Sequence, residues 1–589
     1  MRLNSLLTLF TIALTLSGCG GGGGGSTATD PILPPTEIDV NVTITDDYQV
    51  ESLGTANTIN ANVSVGNTAK DLYLVLSNSA NVPGSTTITH NPKITAEAQA
   101  KIISPTVVTE KRRILHHPDY VQDFNSQIGT LFSKAESSQR QAKIITVTDK
   151  NQDIVGNQTF FCVNINQDNG VCSETTLATS KKVVSGIETA YGPKTLNIWV
   201  SNDSFSGPDC TKSKCITDTM VDELANTFLL DVDGLNNDIY DWVTNVYGEE
   251  WTNAAQIEYS NLIGENDEIT ILLTDINNDN SANGGVIGFF WSKDNFKTSS
   301  IPGSNERVMF YIDSVMFANE DGLSWEIDDY WPKETISTLA HEFQHMIHFY
   351  QKTVLLANDN TDTWINEMLS ESTEDLIATK IRHIGPRGVD YLDGSAGDPD
   401  NTLGRYPLFN ANNTLTLPAS TGPLDQNGNP TFVLADYSKV NAFGAYLLRN
   451  YGGAKLLHDI MYNSYTDVRA VVSAVGSGKT FANLLSEWGV AVMLSDHINL
   501  SNTPFYNTGD FSYDDYNGIT YELGSINFFN YILLDQFSNI IQDGPKIYTT
   551  SGTVQPQGNY YYKIGDNLTG DLNITLELNG QTEATLIAK

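Results

Sequence analysis

The sequence has few cations for its length. Its 589 residues include 33 lysines and arginines against 70 aspartates and glutamates, which gives a formal net charge of −37. The acidic residues are spread along the chain instead of forming one tail, so the surface as a whole repels phosphate backbones. This charge balance argues against nucleic acid as a partner.

Long apolar runs are also missing, apart from one at the N-terminus. Residues 1–17 contain Arg2 and an apolar run that is too short to span a bilayer as a mature helix, which indicates a secretory signal. The segment 16–19 resembles a bacterial lipoprotein processing site. This resemblance implies cleavage before Cys19 and lipid attachment to that cysteine. An ordinary signal peptide with an incidental cysteine is the alternative.

The residues after Cys19 bear on location. A glycine tract at 20–25 has the composition of a flexible tether. Gly20 stands where the aspartate of an inner-membrane retention signal would be, so outer membrane or cell surface is favoured. We therefore expect an exported protein that contacts the membrane through its lipid only, either anchored or released.

Cysteine is scarce, with five in the chain. Apart from Cys19, short separations suggest disulfides between Cys162 and Cys172 and between Cys210 and Cys215, as an oxidising compartment favours. A zinc site built from these cysteines would require closer paired spacing and neighbouring histidines. We therefore predict two structural disulfides.

Histidine is rare as well, with nine residues, but two of them form a motif. Apolar residues recur at three- and four-residue steps through residues 334–351, and Pro332 suits a first helical turn, so an amphipathic helix is predicted. His341 and His345 lie one turn apart on its polar side. Catalytic zinc keeps one position for water, and Glu342 can deprotonate that water as a general base. Two surface histidines on a helix are the alternative.

A second predicted helix supplies candidates for a third ligand. It covers residues 364–376 and carries Glu367, Glu371 and Glu374 on one face. Three stacked glutamates repel each other unless a cation is bound nearby. One of these carboxylates would complete a set of two histidines and one glutamate. A plain solvated acidic face is the alternative.

Together these two helices resemble those of the gluzincin metallopeptidases. More narrowly, segments 341–347, 363–367 and 291–296 are similar to the hyicolysin family of secreted neutral metalloproteases. The similarity extends over roughly residues 140 to 500 and is specific in the two helices.

This resemblance implies a zinc-dependent endopeptidase with zinc ligands His341, His345 and Glu367 and the catalytic base Glu342. Related sequences often carry glycine where this chain has Met368. That difference puts in question the shape of the substrate side, but not metal ligation.

Two further roles come from the resemblance. Glu371 lies one turn after Glu367, where gluzincins place an acidic residue that accepts a hydrogen bond from a ligand histidine. Tyr437 is the best candidate for the donor that stabilises the oxyanion, and His458 is a weaker one. A packing role for Tyr437 is the alternative.

Two other patterns are weaker. Asp275, Asn277 and Asp279 alternate as in a calcium loop, but the glycine and distal glutamate of an EF-hand are missing, so Ca²⁺ is a secondary expectation. The glycines of residues 284–291 would let a strand edge approach a bound peptide, with turn glycines as the alternative.

Period-two and period-3.6 patterns predict further elements. Strands are predicted at 40–44, 72–76, 143–147, 160–163, 196–200, 269–273, 308–312, 526–533, 560–564, 572–578 and 584–588. Helices are predicted at 217–230, 239–247, 437–449 and 481–488.

We therefore predict an α+β protein with a zincin (gluzincin) metallopeptidase domain between a small β-rich N-terminal module and a C-terminal β-sandwich module. The expected function is zinc-dependent cleavage of extracellular proteins or peptides by a monomer. A cell-surface binding or adhesion lipoprotein with a structural or degenerate metal site is the alternative. The predicted boundaries are signal peptide 1–18, Gly/Pro-rich tether 19–39, β-rich region and linker 40–140, metallopeptidase domain 141–505 and C-terminal module 506–589.

Overall fold

The computed structural model describes most of the chain. The described residues are 37–91, 114–115, 118–132, 153–230, 237–264, 267–356, 360–383, 404–417, 433–498, 500, 502–534 and 539–589. The predicted signal peptide, Cys19, most of the tether and the predicted strand at 143–147 lie outside these residues. Among the helices that are described, none combines the length and apolar character needed to cross a membrane.

The described strands fall near the N-terminus, in the middle and near the C-terminus. They are β1 (Glu37–Thr43), β2 (Gln49–Thr55), β3 (Thr58–Ser64), β4 (Lys70–Asn78), β5 (Gly84–Ser85), β6 (Thr87–Asn91), β7 (Ile114–Leu115), β8 (Gln158–Ile165), β9 (Cys172–Thr189), β10 (Gly192–Ser201), β11 (Glu268–Thr274), β12 (Gly285–Val286), β13 (Gly288–Phe290), β14 (Val308–Asp313), β15 (Ser512–Tyr516), β16 (Ile519–Leu523), β17 (Ile532–Leu534), β18 (Ile540–Asp543), β19 (Thr553–Val554), β20 (Gly558–Leu568), β21 (Asp571–Glu577) and β22 (Thr582–Ala588).

The described helices lie mainly in the middle of the chain. They are α1 (Asp119–Ser126), α2 (Asp218–Ala225), α3 (Ile239–Tyr247), α4 (Ala254–Glu258), α5 (Ser314–Phe317), α6 (Tyr330–His348), α7 (Thr363–Ile377), α8 (Arg405–Asn412), α9 (Val433–Tyr451), α10 (Gly453–Tyr462), α11 (Arg469–Val475) and α12 (Phe481–Met493). Turns of π-helix extend α2 through Asn226–Leu230 and α6 through Phe349–Leu355. The mixture of helices and sheets agrees with the predicted α+β class.

A six-stranded mixed sheet positions the helix that carries the histidine motif. Its order is β13-β14-β11-β10-β9-β8, and β10, β11 and β14 run parallel. The side chains of β14 are buried at every position because both faces of the sheet are covered. The short strand β13 forms the edge, antiparallel to β14, and α6 packs against both. The histidine motif therefore lies beside a sheet edge.

The N- and C-terminal strands form one β-sandwich, whereas the sequence suggested two separate modules. One sheet has the order β1-β3-β21-β6 and the other β2-β22-β4-β20. The C-terminal strand β21 pairs with β3 on one side and β6 on the other, and the two sheets share one apolar core. Periodicity predicts strands but not their partners, so pairing between the two ends of the chain leaves no signal in the sequence.

The structure also differs from the predicted boundary at residue 505. Ile519, Tyr521 and Phe528 are buried in the same core as α6 and α7, and β16 packs against α7. Because these side chains fill the helical core, the strands β15 to β18 belong with it and not with the sandwich.

Helix α12 joins the sandwich to the rest of the molecule by packing against β4, β20 and β22. A Cβ atom at Gly489 would lie 2.5 Å from Cγ1 of Val75, so glycine is needed for this approach. Beside it, the Asn559 side chain donates to the carbonyl oxygen of Leu485 at 3.0 Å.

Other local predictions have mixed outcomes. Both disulfides are confirmed, Cys162 with Cys172 and Cys210 with Cys215. The predicted strand at 526–533 is replaced by a 3₁₀ turn at Phe528–Asn530 before β17, because the Asn527 side chain accepts a hydrogen bond from the Phe529 amide and favours a turn.

Candidate active site

Helix α6 is buried on every side, although its sequence predicted an amphipathic helix. Side chains from Trp331 to His348 are all buried, and Pro332 lies in the first turn as expected. The polar side does not face solvent, because α7 packs against α6. Its polar groups must therefore find partners within the protein or bind a ligand.

The three predicted zinc ligands come together between α6 and α7. Nε2 of His341 lies 3.1 Å from Nε2 of His345. Oε2 of Glu367 lies 3.4 Å from the first of these nitrogens and 3.6 Å from the second. Ligand atoms about 2.0–2.2 Å from a tetrahedral zinc lie ~3.3–3.6 Å from one another. Two of the three separations lie within this range and the third, 3.1 Å, is slightly shorter, so this donor set suits a zinc ion.

A second carboxylate, that of Glu374, contacts the other ring nitrogen of the first histidine. Nδ1 of His341 lies 2.8 Å from Oε1 of Glu374, whose other oxygen accepts a hydrogen bond from Ser337 at 2.6 Å. Burial opposes protonation of His341, but hydrogen bonds to Glu367 and Glu374 raise the pKa of this imidazole well above its usual value. Nδ1 of His341 therefore faces Glu374, and its Nε2 faces His345 and Glu367.

The sequence assigned this hydrogen bond to Glu371, which remains a prediction, and the Glu371 carboxylate also binds residues of other helices. The Glu371 carboxylate accepts hydrogen bonds from Nε of Arg405 at 3.0 and 3.1 Å and from Asn441 at 3.0 Å. On an α-helix, a side chain four residues after Glu367 points about 40° away from it around the helix axis. A side chain seven residues after Glu367 points only ~20° away. Glu374 is therefore better aligned with the histidines, although Glu371 lies close enough to His341 and Glu374 to form a second cluster of potential ligands.

Arg405 is buried and remains charged. Burial would lower the pKa of its guanidinium, but the Glu371 carboxylate raises it above the usual value. The guanidinium carbon lies 5.1 Å from the ring centroid of Tyr437. Arg405 thus links the Glu371 carboxylate of α7 to the tyrosine ring of α9.

Glu342 faces the sheet edge. Its Oε2 accepts a hydrogen bond from the backbone amide of Phe290 in β13 at 2.9 Å. Because Glu342 directly follows His341, the same helical turn carries one predicted metal ligand and one carboxylate. The predicted base therefore lies next to the edge strand.

Tyr437 joins this cluster, whereas His458 does not. Burial raises the pKa of the Tyr437 phenol well above its usual value, and the nearby Glu367 carboxylate adds to this effect. The phenol therefore stays protonated and able to donate a hydrogen bond. His458 instead donates from Nδ1 to the carbonyl oxygen of Val246 at 2.9 Å.

Two further polar residues, Ser370 and His348, lie close to the second histidine. Ser370 Oγ lies 3.2 Å from Nδ1 of His345 and donates to the Gln344 side chain. His348 is 4% exposed, and burial lowers the pKa of its imidazole well below the usual value, so it is neutral. Ser370 lies one helical turn from Glu367, so helical periodicity would have identified it. Arg405 and Asn441 lie on other helices, and no local sequence pattern indicates them.

A small cleft of about 80 Å³ lies beside Glu342, His345 and Glu367. It is bounded by the ends of α6 and α7, by the edge of the sheet and by residues around α1. Its lining includes Glu342, His345, Glu367, Phe290, Asn125 and Ile128.

A lysine pairs with the predicted calcium loop. Nζ of Lys212 lies 2.8 Å from Oδ2 of Asp275, and Asp279 accepts a hydrogen bond from the Ser281 amide at 2.8 Å. A lysine ammonium thus neutralises the carboxylate expected to bind Ca²⁺. Across the described residues, the clusters with metal-ligand spacing are those around His341.

Comparison with known proteins agrees with this geometry. Residues 176–388 match the Peptidase M30 family. The chain is 26% identical over 218 residues to the neutral metalloprotease ShpI of Staphylococcus hyicus, a match that covers 36% of this chain and 41% of that protein. The chain therefore aligns with less than half the length of this relative. The family match includes α6 and α7 but ends before Tyr437.

Proposed function

This chain belongs to the hyicolysin family of metallopeptidases through its Peptidase M30 domain, and on that premise we propose that it is a zinc-dependent endopeptidase. In this proposal His341, His345 and Glu367 bind zinc, and Glu342 is the catalytic base. Its substrates are extracellular proteins or peptides. Zinc, when bound, acidifies a water molecule and polarises the scissile carbonyl.

The residues of the chain supply the remaining steps. Glu374 holds His341 in the tautomer whose Nε2 can bind a metal. Glu342 takes a proton from the attacking water and passes it to the leaving amine. Tyr437 donates its phenolic hydrogen to the oxygen that becomes negative during attack, and the ring contact with Arg405 keeps the phenol in place.

The observation that carries the proposal is the triangle of donors with Glu342 beside it. Separations of 3.1, 3.4 and 3.6 Å among two imidazole nitrogens and one carboxylate oxygen support a site with three protein ligands. A structural zinc site has four protein ligands and needs no adjacent base. The alternative of a binding lipoprotein with a structural metal gives Glu342 no role.

Export and lipid attachment are part of the proposal. Two disulfides support an oxidising compartment. The lipid at Cys19 remains a prediction from the sequence, as do the signal peptide and the outer-membrane or cell-surface location.

The proposal is tested by hydrolysis of casein and of a quenched fluorescent peptide. We expect the wild-type chain to lose activity with a zinc chelator and to regain it with added zinc. Glu342→Gln should retain one zinc per chain by elemental analysis while kcat falls about 10²- to 10⁴-fold, because the base is gone. Glu326→Gln makes the same change at an exposed glutamate before α6 and serves as the control. Equal rates for Glu342→Gln and wild type would refute the base assignment.

A further inference from the structure

The proposed active site is closed to a peptide in this structure. The exposed fractions are 0% for His341, 1% for Glu342, 7% for His345 and 6% for Glu367. A protease must admit an extended peptide to these groups, so part of the cleft wall must be displaced. The wall formed by residues 118–132, which we call the strap, covers the sheet edge and lines the cleft with Asn125 and Ile128. It consists of α1 and a 3₁₀ turn at Ile128–Leu131.

Asn125 of the strap binds the backbone of the sheet edge. Its Nδ2 donates to the carbonyl oxygen of Phe290 at 3.1 Å, and its Oδ1 accepts from the amide of Ser292 at 3.1 Å. A carboxamide carries the same N–H and C=O pair as a peptide unit. Asn125 therefore uses the donor and acceptor that an extended peptide would use when adding to this edge.

Glu342 lies on the same stretch of edge. The amide of Phe290 donates to Glu342, and its carbonyl oxygen accepts from Asn125. One residue of the edge strand thus contacts both the proposed base and the strap. A substrate peptide placed along this edge for attack would compete directly with Asn125.

Aromatic contacts hold the two ends of the strap. Tyr120 and Phe124 lie against Trp291 with ring centroids 5.3 and 6.2 Å away. At the other end, Phe132 stacks on Phe296 and Phe349 at 5.9 and 6.3 Å. Trp291 follows β13 and Phe349 follows α6, so the strap spans the cleft from the sheet edge to the metal-site helix.

We propose that the strap is an internal inhibitory segment that occupies the peptide-binding edge of the active site. This inference rests on the proposed function, because inhibition presupposes a peptidase. The occupant is the chain itself, and activity requires displacement of residues 118–132 from Phe290 and Ser292. Release leaves the zinc ligands and Glu342 in place, because they belong to α6 and α7.

The test weakens the strap without changing the catalytic helices. Asn125→Asp keeps the side-chain size but turns an oxygen toward the Phe290 carbonyl, and Asn125→Ala removes all three hydrogen bonds, one to Phe290 and two to the amide and hydroxyl of Ser292. We expect each zinc-loaded variant to cleave the fluorescent peptide with a kcat/KM about 10-fold higher than wild type. A chelator should also remove zinc several-fold faster. Gln127→Ala, an exposed position on the same segment, should change neither quantity.

A second measurement covers the case in which these variants are poorly folded. A synthetic peptide of residues 118–132 should inhibit Asn125→Asp competitively, and the same peptide with Asn125→Ala should inhibit at least 10-fold more weakly. If Asn125→Asp and Asn125→Ala fail to fold, the peptide pair is tested on wild type.

The two proposals fail in different ways. Equal cleavage and zinc-release rates in wild type and both folded Asn125 variants would overturn the inhibitory role and leave the peptidase intact. Equal inhibition by the two peptides would do the same. Absence of zinc-dependent cleavage in wild type and in both variants would overturn the proposed function and, with it, this inference.

Discussion

Nδ1 of His341 and Oε1 of Glu374 lie 2.8 Å apart, and this contact ties the metal-site helix α6 to the far end of α7. Glu367, two turns earlier on α7, faces Nε2 of the same imidazole at 3.4 Å. One helix thus supplies the proposed carboxylate ligand and the carboxylate that fixes the imidazole tautomer. The orientation of His341 depends on α7 at both ring nitrogens.

The first prediction concerns this contact. Glu374→Gln should weaken zinc binding about 10- to 100-fold, because a carboxylate bonded to a ligand histidine raises its basicity and fixes its tautomer. Zinc affinity is measured by competition with a chromophoric chelator. Glu371→Gln, one turn earlier on the same helix, should have the smaller effect. A larger loss of zinc affinity in Glu371→Gln would favour Glu371 as the partner of His341, as predicted from the sequence.

The second prediction separates catalysis from packing at Tyr437. Tyr437→Phe keeps the ring over Arg405 but removes the hydrogen-bond donor, so kcat should fall about 10²- to 10³-fold while KM and zinc content change little. Tyr446→Phe is the matched control, because Tyr446 lies on the same helix and contacts Glu487 at 3.3 Å. If both variants cleave peptide at the wild-type rate, Tyr437 has only a packing role.

The third prediction concerns the buried ion pair beneath the tyrosine. Nη2 of Arg405 lies 2.8 Å from Oε1 of Glu371, with both side chains almost fully buried. Arg405→Met should lower the free energy of unfolding by about 3–5 kcal/mol, because it leaves a buried carboxylate without its partner. Urea unfolding measures this loss. Arg405→Met combined with Glu371→Leu should recover part of it, and strictly additive losses would show that the two residues do not interact.

The sequence predicted those parts of the site that depend on helical periodicity alone. The i, i+4 histidines, Glu342 between them and the glutamate face of α7 all follow from 3.6 residues per turn. The choice between Glu371 and Glu374 depends on the relative rotation of two packed helices, which no single helix encodes. Arg405 and Asn441 reach Glu371 from other helices, so only tertiary packing brings them there.

The same limit applies to the fold. Five strands of the two chain ends, β1, β4, β20, β21 and β22, were predicted at nearly the observed positions, because apolar residues mark each one. The strands β2, β3 and β6 were not predicted. Their partners were not predicted, since β21 inserts between β3 and β6 from the opposite end of the chain.

The fourth prediction tests that shared sandwich. Leu576 of β21 is fully buried in the core formed by both sheets and is paired in register with Ile59 of β3. Leu576→Ala should lower the free energy of unfolding by about 2–5 kcal/mol, as expected for a truncated core leucine. The destabilisation should also be detected in β3, which is distant in sequence, as faster amide hydrogen exchange in residues 58–64. Ile540→Ala, at a position that is 58% exposed, should leave exchange in β3 unchanged. Unaltered protection of residues 58–64 in Leu576→Ala would mean that β3 is stable without its C-terminal partner, as two separate modules would require.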